Sequence, residues 1–224
     1  MGNSRSVSTW GLILIPALIT LGITILRLTG ELQHWSTLFF NPAMGGGGAI
    51  IGISWLPIIF GPYFALKLAR AGDGPSSVSR SIVFALLGLV VLVLASFLFQ
   101  WTIAQPSFLT LLAFLLMLAA AFVPRLGWRS LGDVLLAYAY AARIPVLVVM
   151  YLAMSGNGGA GWGTHYDVVP PELANRPFDV RYFYAAFLPQ MTMWIGFTVV
   201  VGSLIGSIVS AVARRGKQAV QAEA

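Results

Sequence analysis

Residues 81–124 read SIVFALLGLVVLVLASFLFQWTIAQPSFLTLLAFLLMLAAAFVP, a run of 44 positions without one charged side chain. As a single helix rising about 1.5 Å per residue it would be about 66 Å long, roughly twice the hydrocarbon thickness of a bilayer. The run therefore folds back on itself. The turn is expected at Gln100-Trp101-Thr102-Ile103-Ala104-Gln105-Pro106, where two glutamines and a proline cluster beside an interfacial tryptophan.

The rest of the chain follows the same reading. Of its 224 residues, 58% are hydrophobic and 9% are charged, where a soluble domain carries about 25% charged residues. An integral membrane protein is expected, with one transmembrane domain over 1–224 and little sequence left for a separate soluble domain. Charge-free runs place spans at about 8–28, 49–67, 81–100, 106–124, 131–153 and 187–212, an all-α six-transmembrane helix bundle. The last begins beside Pro189, a residue suited to a first helical turn. Arg5 ahead of an apolar run imitates a signal peptide, but no small-x-small site follows before Arg27, so the first segment is expected to remain as a span. The absence of cysteine removes disulfides, thiolate metal sites, iron–sulfur clusters and a cysteine nucleophile.

A net charge of +6 does not point to nucleic acid here, because the basic residues fall in short clusters between apolar runs, as topology signals do. With the N-terminus inside, the cytoplasmic segments hold nine basic residues: Arg5, Lys67, Arg70, Arg80, Arg125, Arg129, Arg214, Arg215 and Lys217. The outside segments hold three, Arg27, Arg176 and Arg181. An N-in, C-in orientation follows. Two longer segments, 28–48 and 155–181, then form the extracytoplasmic face and carry both histidines and four of the seven acids. The expected setting is a bacterial plasma (inner) membrane, with the lipid bilayer as the standing partner.

Few polar residues are conspicuous against this background. Arg143 falls mid-way along the fifth span, where an arginine costs about 2.5 to 3.5 kcal/mol on insertion scales. Pro145 leaves the carbonyl of Ala141 without its helical donor, so a kink could supply acceptors, and Tyr138 and Tyr140 could assist. As a binding set, Arg143, Tyr138 and Tyr140 would hold an anionic or polar group; the alternative is an arginine that caps loop carbonyls.

Outside the spans, Glu31 and His34 are spaced i, i+3, while His165 and Asp167 flank Tyr166. Two imidazoles and two carboxylates on one side of the membrane are donors that zinc or iron could use, although neither pair matches a recognised metal motif. Gly45 to Gly48 lack the lysine and hydroxyl of a phosphate loop and read as a place of close backbone approach. Gly202, Gly206 and Ser210 form a small-residue stripe suited to a tight helix contact, inside the bundle or with a second copy or partner subunit. Ile15-Pro16 before His34-Trp35 and Ile144-Pro145 before His165-Tyr166 suggest a parallel repeat with the third and fourth spans between its halves.

The leading expectation is a non-enzymatic small transporter, ligand-binding or accessory membrane subunit, with Arg143 reading a polar or anionic group. One alternative is a metal-dependent hydrolase or oxidoreductase at the extracytoplasmic face, built on Glu31, His34, His165 and Asp167. The other is a scaffold subunit of a larger membrane complex.

Overall fold

A computed structural model describes residues 8–222, with side chains through Arg214. Arg5, Arg215 and Lys217, three of the basic residues in the orientation argument, lie outside the described residues or side chains. The helices are α1 (Thr9–Leu32), α2 (Leu56–Arg70), α3 (Val78–Thr102), α4 (Phe108–Ala120), α5 (Arg129–Gly159), α6 (Phe178–Tyr182) and α7 (Trp194–Ala222), and there is no strand among the described residues.

Local chemistry fixes several of these ends. The Ser8 hydroxyl accepts from the Gly11 N–H at the start of α1, Ser77 does the same for Arg80 in α3, and Ser107 with Thr110 opens α4 as a capping box. The turn between α3 and α4 falls at the expected glutamine and proline cluster, and the two helices pack together. Five helical stretches are long and apolar enough to cross a membrane: Thr9–Leu32, Val78–Thr102, Phe108–Leu126, Arg129–Gly159 and Phe178–Arg214.

Two expected spans change shape. Helix α2 has 15 residues, only about 22 Å of rise against about 30 Å of hydrocarbon. The first part of its expected span, residues 49–55, is bends and turns instead of helix. The last helix begins at Phe178 rather than 187, because Phe183–Phe187 and Pro189–Met193 are π-helical turns that join α6 to α7 in one 37-residue stretch. These wider turns carry Pro189, which has no N–H to donate, inside a helix rather than at its start.

Helix α7 is the centre of the bundle and touches α2, α3, α4 and α5. Phe64, Leu131, Leu135, Tyr138, Ile195 and Val199 are fully buried between α2, α5 and α7. Phe114, Met117 and Val200 fill the space toward α3 and α4. Gly61 and Gly202 let α2 and α7 approach so closely that a Cβ on Gly61 would lie 2.7 Å from the Gly202 Cα. A Cβ on Gly206 would lie 2.8 Å from the Gly61 carbonyl oxygen, and Ser210 is buried. Gly202 and Gly206 thus make a close helix contact within the chain, against α2. Ser81 and Ser207 share a hydrogen bond of 2.6 Å between α3 and α7, a polar tie of the kind used between helices in lipid.

Large apolar side chains such as Ile15 and Leu18 on α1, Leu94 and Phe97 on α3 and Leu115 on α4 remain exposed. A continuous apolar exterior on long helices is what lipid tails require and water does not tolerate. Helix α1 packs on α5 and α2 on α7, the pairs that the repeat would relate. The segments that follow α1 and α5 each hold a 3-10 turn, at Met44–Gly46 and Pro171–Leu173, but only the second leads into a further short helix, α6.

Candidate functional site

At the end of the bundle where α1, α3 and α5 finish, a cavity of about 260 Å³ lies between helices and loops. Its walls come from α1, α3, α4 and α5, from the irregular chain ahead of α2, from the loop holding His165, and from the π-helical stretch between Tyr184 and Trp194. Most of the lining is apolar, including Ile23, Ile53, Phe99, Phe114 and Val146. Set into it are two arginines with opposite surroundings.

Arg27 is held by four hydrogen bonds. Its Nε donates to Glu31 Oε1 at 2.8 Å, Nη1 donates to the Ile51 carbonyl at 2.8 Å, and Nη2 donates to the carbonyls of Asn41 and Gly46 at 3.0 Å each. Four of its five N–H groups are thereby committed. A Cβ at Gly46 or Gly52 would press within 3.0 Å of the guanidinium, so these glycines are what allow the chain to wrap it. The glycine-rich stretch serves this close approach, as its sequence suggested.

Glu31 sits opposite with a fully buried carboxylate. His165 Nδ1 lies 2.6 and 2.8 Å from its two oxygens, and the His165 backbone N–H donates to Oε2 at 2.8 Å. Burial costs an imidazolium its hydration, and this outweighs the attraction of Glu31, so the His165 pKa lies below the usual histidine value. Arg27 repels the proton further, while Asp167 opposes that in part. A neutral ring with Nδ1–H toward Glu31 leaves Nε2 as a lone-pair acceptor on a side chain that lines the cavity. Burial likewise raises the pKa of the adjacent Tyr166, whose hydroxyl donates to the Thr24 carbonyl at 3.2 Å.

Arg143 is the opposite case. It is 4% exposed and lines the cavity, yet its one hydrogen bond is a long 3.4 Å contact from Nη1 to Gln190 Oε1, and its Nε is buried without a partner. The guanidinium carbon lies 4.5 Å from the Trp194 ring centre, a contact worth up to about 2 kcal/mol when desolvated. Among the described residues no carboxylate pairs with it. The backbone around Pro145, which stays helical, does not supply its acceptor; Gln190 does, from the neighbouring π turn.

The other expected site residues are placed elsewhere. Tyr138 is 2% exposed, bonds Thr20 at 2.8 Å and packs edge-on to Phe60, so it belongs to the core and not to the Arg143 cavity. Tyr140 packs at the margin of that core and does not line the cavity. His34 stands at the end of α1 with φ 53° and is exposed. Its N–H donates to the Glu31 carbonyl at 3.1 Å and the Trp35 N–H to that of Gly30 at 2.9 Å, a Schellman motif that stops the helix and turns His34 away from Glu31. Asp167 accepts from the N–H groups of Gly163 and Thr164 and from the Thr164 hydroxyl, which makes it a loop brace.

Glu31 and His165 do meet, but the four-residue ligand set does not assemble, and no group of three His, Asp or Glu among the described residues converges. Sequence reading missed Arg27, Gln190 and Trp194. Arg27 was available as a charge at the edge of a span, Gln190 as a polar residue beside Pro189 in an uncharged run, and Trp194 as the tryptophan of the last span, but nothing in the sequence joined them to Arg143. No protein-family model matches the chain, and no curated protein or solved structure is found to be similar to it.

Proposed function

We propose that the protein is a small ligand-binding or transport protein that crosses the membrane six times with both termini in the cytoplasm. Its cavity on the extracytoplasmic side receives a polar or anionic group at Arg143. One observation carries this reading: a cation 4% exposed, with an unpartnered Nε, lines a 260 Å³ cavity and meets only neutral protein groups. A buried arginine inside a bundle is costly unless something offsets it, and intramembrane charges generally mark ligand or ion pathways. The irregular chain ahead of α2 supports the same reading, since non-helical backbone at membrane depth is tolerated where protein buries it or where it lines a cavity. Residues 44, 45, 53 and 54 of that chain do line this one.

The test is a thermal-unfolding panel on purified protein with small carboxylates, phosphate, sugars and amino acids. At least one compound is expected to stabilise the wild type and to have no effect on Arg143→Leu, which should remain monodisperse. An Arg143→Leu protein that responds to the same compounds would remove the assigned role.

A further inference from the structure

Resting on the reading of Arg143 as the ligand's anchor, we infer that the ligand is a small apolar monocarboxylate, its carboxylate on Arg143 and its body against the hydrophobic wall. The charge balance around the cavity sets the ligand's charge. Arg27 and Glu31 neutralise one another, with both Glu31 oxygens also engaged by His165. Arg27 has spent four of its five donors on Glu31 and three backbone carbonyls. That leaves one unbalanced positive charge facing the space, on Arg143. A single monoanion balances it; a phosphate dianion would need a second free cation or a cradle of free N–H groups.

In the glycine turn beside the cavity, three N–H groups are unavailable to such a cradle. The N–H groups of Gly46, Gly47 and Ala49 are committed to the carbonyls of Ala43, Met44 and Gly46. A cationic ligand meets repulsion from Arg143, with no uncommitted carboxylate to receive it.

The remaining walls set the ligand's body. Phe99, Ile103, Phe114, Val146 and Met193 line the same space and offer no hydrogen bonds, while its polar side chains are few, Ser54, His165 and Gln190 among them, so a sugar hydroxylated all round would lose more hydration than the walls replace. The volume of 260 Å³ falls just under the range of about 300 to 1,000 Å³ typical of drug-sized pockets. It corresponds to roughly nine waters at about 30 Å³ each, the scale of a single ring or short branched chain bearing a carboxylate. Trp194 lies against the guanidinium, whose one hydrogen bond is the long contact to Gln190, so donors remain for a carboxylate.

The probe is radiolabelled benzoate, measured by equilibrium binding to the full-length protein in nanodiscs. Competitors of similar shape are benzyl alcohol (neutral), benzylamine (cationic) and inorganic phosphate. Saturable benzoate binding is expected in the wild type, weakened roughly 10- to 100-fold in Arg143→Gln, as for loss of a charge-assisted hydrogen bond. It should also be weakened in Ala185→Phe, which fills the cavity and keeps the arginine. Size-exclusion profiles establish that both variants are folded.

If benzyl alcohol or benzylamine displaces benzoate as well as unlabelled benzoate does, the monocarboxylate assignment is overturned while the cavity stands. If phosphate binds better than benzoate and that binding is lost in Arg143→Gln, the ligand class is overturned and the role of Arg143 stands. If no probe binds the wild type, or folded Arg143→Gln binds benzoate like the wild type, both the class and the functional reading fail.

Discussion

Arg27 and Arg143 are similarly buried, at 7% and 4% exposure, and differ in everything else. One closes a structural junction between α1 and the chain ahead of α2; the other faces open space. Removing the partner of a buried pair is costly because the remaining charge keeps its burial and loses its compensation. Glu31→Leu is therefore expected to lower unfolding stability by about 3–5 kcal/mol. Asp133→Leu, whose partners Arg125 and Arg129 are 31% and 83% exposed, should cost less than about 1 kcal/mol. Chemical denaturation of the two variants side by side measures this, and equal losses would refute it. His165 adds a pH dependence, since burial and the nearby Arg27 depress its folded pKa more than Glu31 and Asp167 raise it. Its contribution should be complete above about pH 6.5, the ordinary histidine value, and should be lost as the pH falls from there through the folded value. Melting temperatures between pH 8 and 5 should fall less steeply in His165→Gln, whose amide still donates to Glu31 but does not titrate; an unchanged acid slope would assign it to other groups. Arg143 was legible in the sequence because a charge inside an apolar run is costly and therefore conspicuous. Glu31 and His165 were legible as chemistry but not as a pair, because nothing in a spacing of 134 residues announces contact.

Whole elements were read more reliably than their ends. The 44-residue uncharged run could fold only as a hairpin, and α3 with α4 is that hairpin. The end of α1 was misplaced because Arg27 and Glu31 looked like loop charges, whereas they lie one helical turn apart and pair at 2.8 Å in the helix. The start of α2 was misplaced because residues 49–55 are apolar enough to pass for helix, and hydropathy does not see that their carbonyls are wanted elsewhere, Ile51 by Arg27. The π turns before α7 were invisible, since no residue type marks them. The glycine stripe was legible as a close contact but not as to its partner, which is Gly61. A side chain at that crossing has no space, so Gly61→Val should leave little monodisperse protein; overpacking alone typically costs about 1–3 kcal/mol, and here it meets backbone. Gly22→Ala is the control: a Cβ there meets nothing within 4 Å, and alanine is the better helix former by about 0.8–1.0 kcal/mol. Comparable fluorescence size-exclusion profiles for the two variants would show that α2 and α7 are not held at that distance.

The whole molecule turns on whether the 15-residue α2 completes a crossing. It starts beside the cavity with Pro57 at its first turn and ends at Arg70. The turn that follows is tied to the far end of the bundle, where Trp128 donates to the Asp73 carbonyl at 3.0 Å and Arg214 donates to that of Pro75 at 3.3 Å. The irregular chain ahead of α2, bound to Arg27 through three carbonyls, would have to make up the missing length, with those carbonyls satisfied by the arginine and not by water. Lys67 and Arg70 in the last turn of α2 then sit on the basic side of the membrane, as the charge bias requires. Because the sequence has no cysteine, single exposed sites can be labelled without background. With six crossings, Gln33→Cys, Gln105→Cys and Asn157→Cys should react with an impermeant maleimide from outside intact cells, and Ser76→Cys only after permeabilisation. With five, α2 re-enters without crossing, so Ser76→Cys would share the side of Gln33→Cys and Gln105→Cys would change sides. That pattern would also disconnect the cavity from the termini assigned here, because the hairpin of α3 and α4 would then insert from the opposite face.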